Sequence, residues 1–177
     1  MTTPTQPEPL NYRLFRYLAP NAITAASLVF GMVSVVAAHR GQWDLAGWMI
    51  IYAVLTDRLD GMVARMVRGT SDLGVQLDSF ADFLNFGLAP SFLMHSFLSS
   101  HPALGFDGGW REVVLIVACV GWVMGAVFRL ARFNVTSEEG VPTKIFFGIP
   151  TTLAGGLLVI WYLALLKYAD PTVSTLE

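Results

Sequence analysis

The chain has 177 residues, of which 54% are apolar and only 14% charged, with a formal net charge of −2. This balance indicates a membrane protein of one domain's length and excludes the broad basic field that a nucleic-acid binder needs. The single cysteine, Cys119, excludes an internal disulfide and, in its apolar run, reads as a small buried hydrophobe.

In chain order, residues 1–9 are polar with three prolines and read as a disordered tail. No basic residue or apolar run follows the start as a cleavable signal requires. Leu10, Leu14, Tyr17 and Leu18 recur at helical spacing with Arg13 and Arg16 off that face, which predicts an interfacial amphipathic helix lying along the membrane. Pro20 opens a first span to about Ala38, with Thr24, Ser27, Gly31 and Ser34 forming a small-residue stripe suited to close helix packing. Asn21, near its start, reads either as a helix cap or as a polar contact. A tight loop, His39–Gln42, leads to a second span from about Asp44 to Met66. A polar break over Val67–Ser71 precedes a third, from about Asp72 to Ser99. A Gly/Pro loop over Ser99–Trp110 leads to a fourth span, about Glu112 to Phe128, which ends in Arg129-Leu130-Ala131-Arg132-Phe133-Asn134. A polar loop over Thr136–Phe147 precedes a fifth span, about Gly148 to Leu166, and a short tail from residue 169. The fold expected is all-α, a polytopic membrane bundle with one domain over residues 10–168.

Four carboxylates interrupt the otherwise apolar second and third spans. Asp57 and Asp60 are three residues apart and share one helix face; Asp78 and Asp82 are four apart and share a face of the next helix. A short break makes these helices antiparallel neighbours, so two acids from each can meet. Intramembrane acids are expensive and mark functional sites. Four of them in low dielectric repel strongly, and divalent cations held by hard oxygen ligands resolve that repulsion. Two such ions can clamp the attacking and leaving oxygens of a phosphoryl displacement. Gly61, Ala64 and Gly74 keep the walls small enough for a phosphate or a flat base to approach the backbone. The plainer alternative makes the acids helix-end charges paired with Arg58, Arg65 and Arg68. A further rival is a divalent-cation channel or transporter, which needs a continuous polar path. No Ser/His/Asp or Cys/His nucleophile set is present, and His95 lies three turns beyond Asp82.

Asp57-x2-Asp60-Gly61-x2-Ala64-Arg65-x8-Gly74-x3-Asp78-x3-Asp82 resembles the signature of the CDP-alcohol phosphotransferases at every fixed position. That resemblance implies a membrane-integral, divalent-metal-dependent and homodimeric enzyme that transfers a phosphatidyl-type group from a CDP-linked lipid to an alcohol and releases CMP. It implies metal ligation by Asp57, Asp60, Asp78 and Asp82, with two Mg2+ or Mn2+ ions and Asp82 as base. It also implies CDP-lipid binding by Asn21, Thr24, Gly61, Ala64, Arg65 and Gly74. The stretches Asp78–Pro90 and Arg129–Asn134 resemble the subfamily whose acceptor is L-serine and whose donor is CDP-diacylglycerol. On that resemblance Arg129, Arg132, Asn134 and Asn85 are the candidate acceptor contacts. Glycerol phosphate, inositol phosphate and choline remain open as acceptors. The family core usually has six spans, whereas five are visible here. Basic residues cluster at the amino end, the Val67 break and the Asn134 loop, so those ends and the acids are expected at the cytoplasmic face of the cell (inner) membrane.

Overall fold

A computed structural model describes residues 10–67, 72–138 and 149–168. The expected tail at 1–9, most of the Val67–Ser71 break, most of the Thr136–Phe147 loop and the tail from 169 lie outside the described residues. The described chain is helical, without a strand: α1 is Leu10–His39, α2 Trp43–Val67, α3 Asp72–Asp82, α4 Ala89–Ser100, α5 Gly109–Glu138 and α6 Thr151–Tyr168. Three helices are long and apolar enough to cross a membrane, over Asn21–His39, Gly109–Val135 and Thr151–Tyr168. α2 has 25 residues, ample length for a crossing, but carries the acids. The protein is an all-α membrane protein.

Three boundaries differ from those expected. The surface helix over Leu10–Leu18 and the first span form one helix of 30 residues, continuous through Pro20. A proline forfeits one backbone bond, yet a helix remains the way to satisfy the other backbone groups as the chain enters hydrocarbon. The third span is not uniform: between α3 and α4 the chain winds wider, as a π-helical stretch over Phe83–Leu88. The fourth span, α5, runs unbroken to Glu138, so Arg129–Asn134 lies within the helix instead of flanking it.

α1 and α2 form a hairpin. Gly41 closes it at φ 72°, which only glycine adopts cheaply, with Gly41 N–H donating to Ala38 O (3.2 Å) and Gln42 N–H to Ala37 O (2.9 Å). The small-residue stripe of α1 is buried as expected: Thr24, Ser27 and Ser34 are at most 4% exposed, and Ser34 Oγ donates to Ala46 O at 2.8 Å. Without a hydrophobic drive between helices in lipid, such close backbone approach and hydrogen bonding hold the pair. α6 runs antiparallel to α2, with Gly156 beside Val54 and Gly47 beside Leu163.

The π-helical stretch lies at the centre of the bundle, with Asn85, Phe86 and Gly87 buried. Its origin is local. Ala89 N–H reaches back to Leu84 O, five residues away. Pro90 has no N–H for Phe86 O, and Trp122 of α5 supplies the missing donor through Nε1 at 3.1 Å. α6 meets the same stretch at Gly155, where a Cβ would fall 2.9 Å from Phe86 Cβ and 3.1 Å from its Cα. α1 meets it through Ser27 Oγ, which accepts from Asn85 Nδ2 at 2.6 Å.

Candidate active site

The spacing of the acids does the first part of the assembly. Asp57 and Asp60 project from the same face of α2, and Asp78 and Asp82 from one face of α3. The two faces oppose each other. One carboxylate oxygen from each of Asp57, Asp60 and Asp78 lies within 4.8 Å of the others. Asp82, one turn beyond Asp78 on the same face, lies next to them, close enough for the charges of Asp57 and Asp78 to act on it.

Other helices hold the acids in place. Thr24 of α1 donates its hydroxyl to Asp60 Oδ2 at 2.9 Å, and Asp60 is only 6% exposed. Thr152, in the first turn of α6, lies beside Asp57. Asn134 of α5 and Ser79 of α3 hydrogen-bond each other, Nδ2 donating to Oγ at 3.0 Å, which ties the end of α5 beside the acids. Arg129, one and a half turns earlier on α5, donates to the hydroxyl of Thr151. Three further helices, α1, α5 and α6, therefore converge on the α2–α3 acids or their neighbours.

The donor set fits a hard divalent cation. The carboxylates act chiefly on one another, and among the described residues the one cation acting on them is Arg58, on Asp57. Asp82 Oδ1 is buried with no hydrogen-bond partner. Buried like charges with an orphaned oxygen are costly as they stand and are compensated by a cation coordinated through oxygen.

The other sequence candidates fall as follows. Gly61 and Gly74 are half-buried on α2 and α3. Ala64 and Arg65 lie on α2 by their backbone, with their side chains outside what is described. Asn21 is half-buried near the start of the apolar part of α1. It sits inside the continuous helix, so the cap reading fails. Arg132 is exposed on α5. Asn85 is fully buried, bonded to Ser27, with its Oδ1 against Gly31, where a Cβ would sit 2.0 Å away. There it packs α1 against the π-helical stretch. Sequence reasoning missed Thr152, Thr151 and Ser79. The one signal for the threonines was a hydroxyl pair directly after Pro150, at a span's start.

An α-helical membrane protein with clustered acids able to bind a metal is thus defined by fold and site. The family model for CDP-alcohol phosphatidyltransferase matches residues 17–176, and the chain belongs to that family. The family is generally divalent-metal dependent, in keeping with the Asp57, Asp60 and Asp78 cluster. Relatives named CDP-diacylglycerol–serine O-phosphatidyltransferase include one from Helicobacter pylori, 36% identical over 152 residues, which are 86% of this chain and 60% of that protein. One from Mycobacterium tuberculosis is 35% identical over 153 residues, 84% of this chain and 49% of its own length. One from Bacillus subtilis is 32% identical over 142 residues, 80% of this chain and 73% of its own. The chain spans about 60% of the length of the Helicobacter relative. No solved structure matches the chain.

Proposed function

We propose that the protein transfers the phosphatidyl group of CDP-diacylglycerol to L-serine, giving phosphatidylserine and CMP. The observation that carries the reading is the convergence of Asp57, Asp60 and Asp78 from two helices in a chain whose relatives bear that enzyme's name. Asp57, Asp60 and Asp78 would hold one Mg2+ or Mn2+, and Asp57, Asp78 and Asp82 a second. When bound, such ions neutralise a diphosphate and the charge gathering on a leaving phosphate. The serine hydroxyl oxygen forms the new bond to phosphorus, the bond from phosphorus to the CMP oxygen breaks, and the hydroxyl proton passes to Asp82.

Thr24 fixes the orientation of Asp60. Asn21, Thr24, Gly61, Ala64, Arg65 and Gly74 form the CDP-lipid side of the cleft, the small residues admitting the cytidine. Arg132 and Arg129, with Asn134, lie on the α5 side, where a guanidinium suits the serine carboxylate. The clustering of basic residues supports an inner-membrane protein with its amino end and acids towards the cytoplasm, and the family resemblance supports a homodimer.

The test is CMP release by the purified full chain from CDP-diacylglycerol, with Mg2+ or Mn2+ and a panel of alcohols. Serine-dependent release abolished by a chelator is expected. Release that depends instead on glycerol phosphate, inositol phosphate or choline would replace serine as the acceptor, and release indifferent to chelation would overturn the metal reading.

A further inference from the structure

A cavity lies at the end of the bundle away from the acids. It has a volume of about 1000 Å³ and opens between the α1–α2 turn, the start of α2 and the end of α6. Asp44, which lines it, is separated from Asp57 by about 20 Å along α2, at 1.5 Å per residue. Nothing in the proposed transfer reaction uses it.

Its lining is unlike an ordinary apolar groove. Asp44 and Lys167 both line it, one at the first turn of α2 and the other at the last turn of α6. Lys167 places its ammonium over the ring of Tyr168, 5.5 Å from the centroid, and among the described residues forms no ion pair with Asp44. Two residues of unlike charge thus line one space without forming an ion pair. Trp43 and Trp48 complete the aromatic wall. His101 closes the rim, held by Nδ1 against Phe97 O at 2.7 Å. Below, Ile160 and Leu163 continue the wall down the apolar flank of α6, where Ile160 is 56% exposed. α6 is membrane-spanning and ends here, so the cavity sits where Trp, Tyr and Lys favour the boundary between hydrocarbon and headgroups.

We propose that this cavity binds the headgroup of a zwitterionic phospholipid, its ammonium against Asp44 and the tryptophans and its phosphate against Lys167. An anionic headgroup would satisfy Lys167 but set its charge in the same cavity as Asp44; a zwitterion satisfies both. A cation also gains from the faces of Trp43 and Trp48. The volume matches the upper end of small-molecule sites, roughly 300–1,000 Å³, and the chains would follow Ile160 and Leu163 into the bilayer. Ethanolamine and choline headgroups share this chemistry.

The experiment is native mass spectrometry of the full chain in mild detergent with equimolar dioleoyl phosphatidylethanolamine, phosphatidylcholine and phosphatidylglycerol. The wild type is compared with the double variant Asp44→Asn/Lys167→Gln. Both residues are exposed, so the variant is expected to fold. The expected result is retention of a zwitterionic lipid at least fivefold above phosphatidylglycerol, falling to parity in the variant. Preference for ethanolamine over choline would show hydrogen bonding to Asp44 to dominate, and the reverse would show the aromatic wall to dominate; either supports the site. Equal retention of phosphatidylglycerol by the wild type, or unchanged selectivity in the variant, overturns it. Serine-dependent CMP release by the variant should stay within twofold of wild type, and its loss would overturn the separation of the two sites. Absence of serine transfer in the wild type would bear only on the acceptor.

Discussion

Replacing Thr24 by valine tests the support of the acid cluster most directly. The side chains are close in shape, so the change removes one hydroxyl and little volume. That hydroxyl donates to Asp60 Oδ2 at 2.9 Å, and Asp60 is 6% exposed, so water cannot readily replace it. A hydrogen bond to a charged group is worth about 1.5–3 kcal/mol. Loss of a group that orients a metal ligand usually weakens binding by about 10–100-fold, or roughly 1.4–2.8 kcal/mol. The two ranges agree, so the concentration of Mg2+ or Mn2+ giving half-maximal CMP release should rise about tenfold or more. Thr24→Ser keeps the donor and should stay near wild type. The assay is a metal titration at saturating CDP-diacylglycerol and serine, with a melting curve showing each variant to be folded. A folded Thr24→Val protein that saturates at the wild-type metal concentration would refute the claim that α1 orients Asp60.

Three further outcomes are expected. Asp82→Asn should lower CMP release by roughly 100- to 10,000-fold, the range of a lost general base, while CDP-diacylglycerol still binds in an equilibrium assay; near-normal turnover would remove Asp82 from the chemistry. Arg132→Ala should raise the KM for serine about tenfold and leave that for the CDP-lipid little changed; equal effects on both would count against a carboxylate contact. Gly155→Ala would press a methyl group against Phe86 Cα at 3.1 Å, backbone that cannot swing aside. Overpacking of this kind costs about 1–3 kcal/mol, so a lower Tm in detergent is expected, and an unchanged Tm would mean that α6 is free to move off the π-helical stretch.

Much of the architecture is legible in one dimension. The stripe Thr24, Ser27, Gly31, Ser34 announces the buried face of α1, because residues three and four apart share a helix face whatever the helix packs against. The i, i+3 and i, i+4 spacings of the four aspartates likewise determine that each pair acts together. Less legible are features that depend on what lies across a helix. The widened turn at Phe83–Leu88 precedes a proline, but the Phe86 carbonyl that Pro90 leaves without a donor is satisfied by Trp122 reaching it from α5. Asn85 reads as a polar residue near the acids, yet its side chain turns to Ser27 and Gly31. Arg129–Asn134 reads as the basic end of a span, whereas the helix continues and Arg129 and Asn134 bond to Thr151 and Ser79.

The sequence by itself therefore determined that this is a helical membrane protein with two pairs of acids on two successive helices, because periodicity and hydropathy are properties of a single segment. Only the tertiary structure decided that Asp57, Asp60 and Asp78 share one space, that Thr24 braces Asp60, and that Asp44 and Lys167 line one cavity at the far end of the bundle. Those relations join residues up to more than a hundred positions apart, and such distances are set by how helices pack against one another.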